Sequence, residues 1–210
     1  MKKLLLLLFL TFSCCSAFAQ HYVFFLHNMF LEQYGTEGVH PEYGRAEYKE
    51  ILDAYKKEGF VVISELRSKN TDAYVYAKKV AGQVDSLLKL GVPAAHITVI
   101  GTSKGGYIAM YTSALLKNRE LNYVFIGCCG EGNLSDDKIH FYGNVLSIYE
   151  RSDVIGRSCQ KEHVKAGKDV TRFKEIELNT GLKHGFLYKP LDGWIKPSVA
   201  WVKGNYEAGR

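Results

Sequence analysis

The sequence has few of the features that mark several specialised classes of protein. Only 5 of its 210 residues are cysteine, which excludes a disulfide-rich scaffold. The formal net charge is +5 and no run of Lys or Arg forms a basic patch, so we expect no nucleic-acid partner. The only long apolar run stands at the N-terminus, and even that run is too short to span a bilayer. What the chain does have is a hydrophobic content of 47%, which is typical of a folded domain with a full core.

The one long apolar stretch stands at the N-terminus and has the layout of a secretory signal peptide. Two lysines precede an apolar run that ends at Phe12, and residues 17–19 (AFA) place small residues where a signal peptidase reads them. The stretch is too short to span a bilayer. We therefore predict that residues 1–19 are a signal peptide cleaved before Gln20. The short MKK head is typical of bacteria, so we expect a periplasmic or secreted protein with no stable membrane insertion after cleavage.

Short apolar runs alternate with segments of helical periodicity along the rest of the chain. Short runs of mostly apolar and β-branched residues predict five strands, at 21–27, 60–64, 96–100, 123–126 and 145–149, and residues 173–178 are predicted as the last strand. Apolar residues at helical spacing predict helices at 43–58, from 71 or 72 to 90, at 104–117 and from 194, with Pro197 in the first turn of the last helix. This pattern indicates an α/β fold, a mainly parallel sheet of about six strands with helices on both faces. No linker or internal repeat divides residues 20–210, so we predict one domain.

Residues 101–105 (GTSKG) contain the pattern Gly-x-Ser-x-Gly between a predicted strand and a predicted helix. This context is the one that a nucleophile elbow requires, because its sharp turn exposes the hydroxyl of Ser103 above the sheet. Gly101 and Gly105 are needed where neighbouring backbone passes too close for a Cβ. A phosphate-binding loop is excluded because Ser103 precedes Lys104, whereas that motif needs Lys before Ser or Thr. Since the chain also lacks a dinucleotide-binding motif, we predict no cofactor.

With these residues the chain resembles the α/β-hydrolase family over essentially its whole mature length. The resemblance rests on the elbow GTSKGG, on Asp153 in ERSDVIG and on His184 in LKHGF, which follow one another in the family's order. The spacing and the His-Gly-Phe sequence are most similar to the small, lidless serine hydrolases of the dienelactone-hydrolase type. The resemblance implies an α/β-hydrolase core without its two leading antiparallel strands and without a large lid domain.

The chemistry of acyl transfer gives each of these residues a role. The hydroxyl of Ser103 is a poor nucleophile alone, and His184 would serve as its base and later as the acid. Asp153 would orient the imidazole, with Glu150 at the end of the preceding strand as the competing acid. The oxyanion hole needs two donors.

One of those donors would be the backbone N–H of Lys104, directly after the nucleophile. The second would be the backbone N–H of Asn28 or Met29, in the loop after the first strand. Asn28 stands where similar proteins have Gly, so its side-chain amide is a further candidate donor.

These residues predict an exported serine hydrolase that cleaves a carboxylic ester of a small-molecule substrate through an acyl-Ser103 intermediate. The same triad also allows a lactone, a thioester or a peptide bond as substrate. The alternative from a different class is a binding protein that kept the fold and lost its activity. The intact triad argues against this alternative, and the unusual Asn28 and Lys104 keep it open. The histidines and cysteines form no H-x-x-x-H or Cys-x-x-Cys grouping, so we predict no metal site.

Charged residues near the predicted site have two open interpretations each. Lys104 either attracts an acidic acyl group or turns its side chain to solvent. Glu65 and Arg67 follow the second strand and face the same edge of the sheet, where they either pair with each other or touch substrate.

The three cysteines of the mature chain also have two interpretations. Cys159 can pair with Cys128 or Cys129, because the loops after consecutive parallel strands lie together and the compartment is oxidising. Otherwise all three are buried, small apolar side chains.

Overall fold

The computed structural model describes residues 20–130 and 136–207, so the predicted signal peptide lies outside the described residues. The strands are β1 (Tyr22–Leu26), β2 (Val39–His40), β3 (Gly44–Arg45), β4 (Val61–Ile63), β5 (Ile97–Thr102), β6 (Asn122–Ile126), β7 (Gly143–Glu150) and β8 (Val170–Leu178). Six of them form one sheet in the order β4-β1-β5-β6-β7-β8, and every neighbouring pair is parallel. All six correspond to predicted strands, which confirms the prediction of an α/β fold with a parallel sheet.

Helices cover both faces of this sheet. They are α1 (Met29–Tyr34), α2 (Tyr48–Lys56), α3 (Ala73–Lys89), α4 (Lys104–Leu116), α5 (Gln160–Ala166) and α6 (Asp192–Val202). One buried cluster joins α3, α4 and α5 to the sheet, and a second joins α1, α2 and α6. In β1, Phe24 belongs to the first cluster and Phe25 to the second, as the alternation of side chains along a strand requires. None of these described helices has both the length and the hydropathy needed to cross a membrane.

Some element boundaries differ from the predicted ones for identifiable reasons. Helix α2 begins at Tyr48, because β3 pairs with β2 in a small antiparallel ladder and removes the preceding residues from the helix. Helix α6 begins at Asp192, so Pro197 lies inside the helix and the expectation of a first-turn position was wrong. The sequence did not predict α1 and α5, which have only 6 and 7 residues and therefore less than two turns of periodicity.

Candidate active site

Ser103 occupies a sharp turn between β5 and α4. Its backbone angles are φ 50° and ψ −119°, a conformation that non-glycine residues adopt at an energetic cost. The Ser103 N–H donates to the carbonyl of Ile126 at 2.9 Å, which ties the turn to the end of β6. The sequence motif therefore forms the strained strand–turn–helix that was predicted for an elbow.

The two glycines of the motif are required by close backbone contacts. A Cβ on Gly101 would overlap the backbone of Gly105, which would prevent the turn from closing. A Cβ on Gly105 would overlap the carbonyl group of Leu26 at the end of β1. The elbow therefore packs directly against the start of the loop that contains Asn28.

Ser103, His184 and Asp153 lie in one chain of hydrogen bonds. The Nε2 atom of His184 is 2.9 Å from the Ser103 Oγ, and its Nδ1 atom is 2.6 Å from the Asp153 Oδ2. A carboxylate only accepts, so Nδ1 carries the proton and Nε2 is left to accept the hydroxyl proton of Ser103. The side chain of Asp153 is 1% exposed and that of His184 is 13% exposed, so the carboxylate is shielded while the imidazole still reaches the surface.

Glu150 was the competing candidate for the carboxylate that binds the His184 imidazole. Its carboxylate is instead hydrogen-bonded to residues of two neighbouring loops. It accepts from the N–H and the hydroxyl of both Ser152 and Thr180, at 2.8–3.2 Å. Burial raises the pKa of Glu150, but these hydrogen bonds outweigh burial and hold that pKa at about 2. Ser152 directly precedes Asp153, and Thr180 lies four residues before His184. The Glu150 carboxylate therefore joins the segment that carries Asp153 to the segment that carries His184.

A disulfide supports the segment that carries Asp153. Cys129 and Cys159 are bonded, with their Cα atoms 5.2 Å apart, whereas Cys128 is a buried free thiol. The Arg157 N–H also donates to the Cys129 carbonyl at 2.5 Å. The expectation of a bridge from Cys159 is confirmed with Cys129 as its partner, and the alternative of three free thiols was wrong. Burial raises the pKa of the Cys128 thiol, which keeps it protonated.

Of the predicted oxyanion donors, Lys104 directly follows Ser103, whereas Asn28 and Met29 follow β1, on the other side of β5 from β7 and β8. Asn28 is buried and caps α1, because its Oδ1 accepts from the Leu31 N–H at 3.1 Å. Met29 is the first residue of α1, and Lys104 is the first residue of α4. All three are therefore found where a strand passes into a helix, and the unusual Asn28 has a helix-capping role that sequence reasoning missed.

The side chain of Lys104 takes neither of its two predicted positions. Its Nζ atom donates to the Glu32 Oε1 at 2.6 Å, and the side chain is only 18% exposed. The other Glu32 oxygen accepts from the Arg67 Nε at 3.1 Å, and both of these side chains are fully buried. Burial raises the pKa of Glu32, but the hydrogen bonds from Lys104 and Arg67 outweigh it and lower that pKa. The carboxylate of Glu32 thus bridges two cations beside the elbow.

Glu65 and Arg67 do not pair with each other, so the first of their two interpretations was wrong. Glu65 accepts from the Tyr76 hydroxyl at 2.7 Å and pairs with Lys79, both on α3. The chain leaves the sheet after β4, so these two residues no longer share a strand face. Sequence reasoning missed Glu32, although one signal was present. Glu32, Arg67 and Lys104 follow β1, β4 and β5, which are neighbours in the sheet.

The described residues contain no cluster of three or more His, Cys, Asp or Glu side chains placed to hold a metal ion. The groups that the site brings together are a serine hydroxyl, an imidazole, a carboxylate and backbone donors. This combination can activate a hydroxyl and stabilise a negative charge on oxygen.

Comparisons with known proteins give a structural likeness without a sequence match. No family model and no curated protein sequence matches the chain. SOBER1 of Arabidopsis thaliana aligns over 90% of this chain and 100% of its own, with 11% identity and a TM-score of 0.57. The lidless α/β serine hydrolase XC6422 of Xanthomonas campestris aligns over 90% and 83%, with 13% identity and a TM-score of 0.57. A fungal esterase from Rhizomucor miehei aligns over 90% and 76%, with 14% identity and a TM-score of 0.61. The chain has the α/β-hydrolase fold, as the sequence resemblance implied.

Proposed function

We propose that the protein is an exported serine hydrolase that cleaves a carboxylic ester bond through an acyl-Ser103 intermediate. The observation that carries the proposal is the chain of hydrogen bonds from the Ser103 Oγ through His184 to Asp153, at 2.9 and 2.6 Å. A strained elbow holds the hydroxyl at the start of this chain. The names of the structural neighbours, which include esterases and α/β serine hydrolases, support the same class of reaction.

The reaction proceeds in two halves. In the first, the Ser103 Oγ attacks the carbonyl carbon of the ester while Nε2 of His184 takes the hydroxyl proton. The carbonyl oxygen becomes an oxyanion that accepts from the N–H of Lys104 and from the N–H of Asn28 or Met29. When the intermediate collapses, His184 returns the proton to the leaving alkoxide, and the acyl group stays on Ser103.

In the second half, water replaces the alcohol. His184 takes a proton from the water, whose oxygen attacks the acyl carbon, and the collapse of this second intermediate returns the proton to the Ser103 Oγ. The carboxylic acid then leaves. Asp153 stabilises the charged imidazole in both halves, because its buried carboxylate accepts from Nδ1.

Two features support export. The N-terminal residues have the layout of a cleavable signal peptide. The Cys129–Cys159 disulfide fits an oxidising compartment such as the periplasm. Mass spectrometry of the exported protein should find a chain that starts at Gln20, whereas a retained N-terminus or a lipid on Cys14 or Cys15 would contradict this part of the proposal.

Labelling with a fluorophosphonate tests the proposed hydrolase directly, because this probe reacts with activated serine hydroxyls. Wild type and a Ser86→Ala control, altered on the exposed face of α3, should be labelled equally. Ser103→Ala should not be labelled, and its circular dichroism should match that of wild type. Labelling of Ser103→Ala would show that the nucleophile is wrong. A wild type that is not labelled would instead favour the binding protein without activity.

A further inference from the structure

The buried guanidinium of Arg67 contacts the backbone of the loop that contains Asn28 and Met29, the candidates for the second oxyanion donor. Its Nη2 atom donates to the carbonyl of His27 at 2.5 Å and lies 3.4 Å from the carbonyl of Asn28. The backbone N–H of Arg67 donates to Nε2 of His27 at 3.0 Å. Arg67 thus holds this loop through its side chain and its main chain together.

His27 adds a second donor to the same loop. Because Nε2 of His27 accepts from the Arg67 N–H, the proton of the neutral ring is on Nδ1. Nδ1 then donates to the carbonyl of Asn28 at 2.8 Å. The Asn28 carbonyl is therefore held by the His27 ring and lies close to the Arg67 cation.

These contacts act on the N–H groups of the oxyanion hole through the peptide bond. The His27 carbonyl shares a peptide unit with the Asn28 N–H, and the Asn28 carbonyl shares one with the Met29 N–H. Every described peptide bond is trans, so the C=O and the N–H of each unit point in opposite directions. A donor that fixes and polarises the carbonyl therefore also fixes the N–H and makes it a stronger donor on the other side.

We propose that Arg67 is a positioning residue for the oxyanion hole, which it acts on by binding the carbonyls of His27 and Asn28 from behind. This inference rests on the proposed function. Glu32 completes the arrangement, because its carboxylate binds Arg67 through one oxygen and Lys104 through the other, at 3.1 and 2.6 Å. Since the Lys104 N–H is the elbow's donor, one carboxylate connects the two halves of the hole.

The energetics of burial favour this role over simple stabilisation. A buried ion pair loses its hydration and often contributes no more stability than apolar residues of the same volume. The Nη1 atom of Arg67 is buried and makes no hydrogen bond within the described part of the chain, so the guanidinium is not fully satisfied. What the cluster of Glu32, Arg67 and Lys104 does provide is a fixed direction for the backbone N–H groups of Asn28 and Met29.

A tetrahedral inhibitor separates this role from a general effect on the pocket. A trifluoromethyl ketone adds to the serine and places an oxyanion in the hole, whereas the alcohol of the same carbon skeleton forms no adduct. Arg67→Met should weaken binding of the ketone about 10- to 100-fold and lower kcat/KM for a nitrophenyl ester in parallel. Binding of the alcohol should stay within about twofold, because the pocket itself keeps its shape.

Two further variants keep this result interpretable. The control Lys79→Met removes an exposed cation that lies over the same Tyr76 ring as Arg67. It should leave the binding of the ketone, the binding of the alcohol and the activity unchanged. Arg67→Lys keeps a charge beside Glu32 but cannot reproduce the fork of a guanidinium. It should fold like wild type and still bind the ketone about 10-fold more weakly.

Folded Arg67 variants that bind the ketone as tightly as wild type would overturn the positioning role. Equal losses for the ketone and the alcohol would overturn it as well, because they would indicate a distorted pocket. In both cases wild type still reacts with the fluorophosphonate, so the proposed hydrolase stands. A wild type that reacts with neither reagent would remove the proposed function and this inference together.

Discussion

Two sides of the elbow are held in place by different kinds of interaction. The acid side, residues 150–159 and 180–184, lies after β7 and β8, and the oxyanion side, residues 27–32 and 65–71, lies after β1 and β4. Both sides have a buried carboxylate at their centre. Glu150 accepts only from neutral N–H and hydroxyl groups, whereas Glu32 binds the side chains of Arg67 and Lys104.

The same requirement, a loop held in a fixed position beside the elbow, has two physical solutions in this one molecule. The acid side combines a covalent bridge with hydrogen bonds between neutral donors and one carboxylate. The oxyanion side uses charge, and a charge can polarise the peptide groups it touches as well as hold them. We therefore expect changes on the acid side to act mainly on stability, except at Asp153 itself.

The largest effect is expected from Asp153→Asn. The amide cannot hold the imidazole in the tautomer that accepts from Ser103, so kcat should fall about 10³- to 10⁴-fold. The free energy of unfolding should change little, because the amide oxygen can still accept from the Ile155 N–H. Ester hydrolysis and urea denaturation measure the two quantities. An active but unstable variant would mean that Asp153 is only a loop residue.

The next effect concerns the disulfide of the acid side. The double variant Cys129→Ala/Cys159→Ala should lose about 3–4 kcal/mol of unfolding free energy, since the bridge spans 30 residues in the chain-entropy model. Denaturant titration under non-reducing conditions measures this loss. Thiol counting on the denatured wild type provides the check, with one free thiol expected for Cys128 in the mature chain. Three free thiols would show that the bridge is absent.

On the oxyanion side, His27 makes stability depend on pH. Burial, followed by the charge of Arg67, lowers the pKa of His27 from 6.5 to about 4. The neutral ring therefore contributes stability above pH 6.5, and this contribution is lost as the pH falls from 6.5 to 4, because the unfolded chain binds the proton first. The loss is at most about 3 kcal/mol.

The variant His27→Gln removes that titration. Its unfolding free energy should be lower than that of wild type at pH 7 and should fall less steeply between pH 6.5 and 4. Denaturant titrations at several pH values measure the slopes. Equal slopes for wild type and variant would contradict a buried, neutral His27.

The smallest effect is expected from Glu150→Gln. It should cost about 1–3 kcal/mol of unfolding free energy at pH 7, because the amide cannot accept all the bonds from Ser152 and Thr180. The pKa of Glu150 is lowered to about 2, so its contribution is present above pH 4.5 and is lost as the pH falls from 4.5 to 2. Protonation of Glu150 should therefore shift the acid unfolding of wild type to a higher pH than protonation of its other carboxylates alone would produce. Circular dichroism follows this unfolding. If the variant instead lost activity as completely as Asp153→Asn, Glu150 would be the carboxylate of the triad.

Much of this architecture was predictable from the sequence. Five of the six sheet strands are short runs of mostly apolar residues, and β8 carries Phe173, Ile176 and Leu178 between charged residues, so all six could be recognised before the structure was known. Ser103, Asp153 and His184 could be recognised because each lies in the segment after a predicted strand, in the order that the resemblance implies.

The parts that could not be predicted depend on long-range contacts. Glu32 reaches Arg67 and Lys104 across 35 and 72 residues, and no local pattern marks such a contact. Helix α1 is too short to show periodicity, so the capping role of Asn28 was also hidden. Which of Cys128 and Cys129 pairs with Cys159 depends on the direction of each side chain at the end of β6.

The proposed reaction passes through an acyl group on Ser103, and trapping that intermediate is its most direct test. The protein is mixed with a nitrophenyl ester, quenched in acid during turnover and digested with trypsin. Mass spectrometry should find the acyl mass on the peptide of residues 90–104, which contains Ser103, after release of one equivalent of nitrophenol in a burst. Hydrolysis of the ester with the acyl group on any other residue would contradict the proposed mechanism.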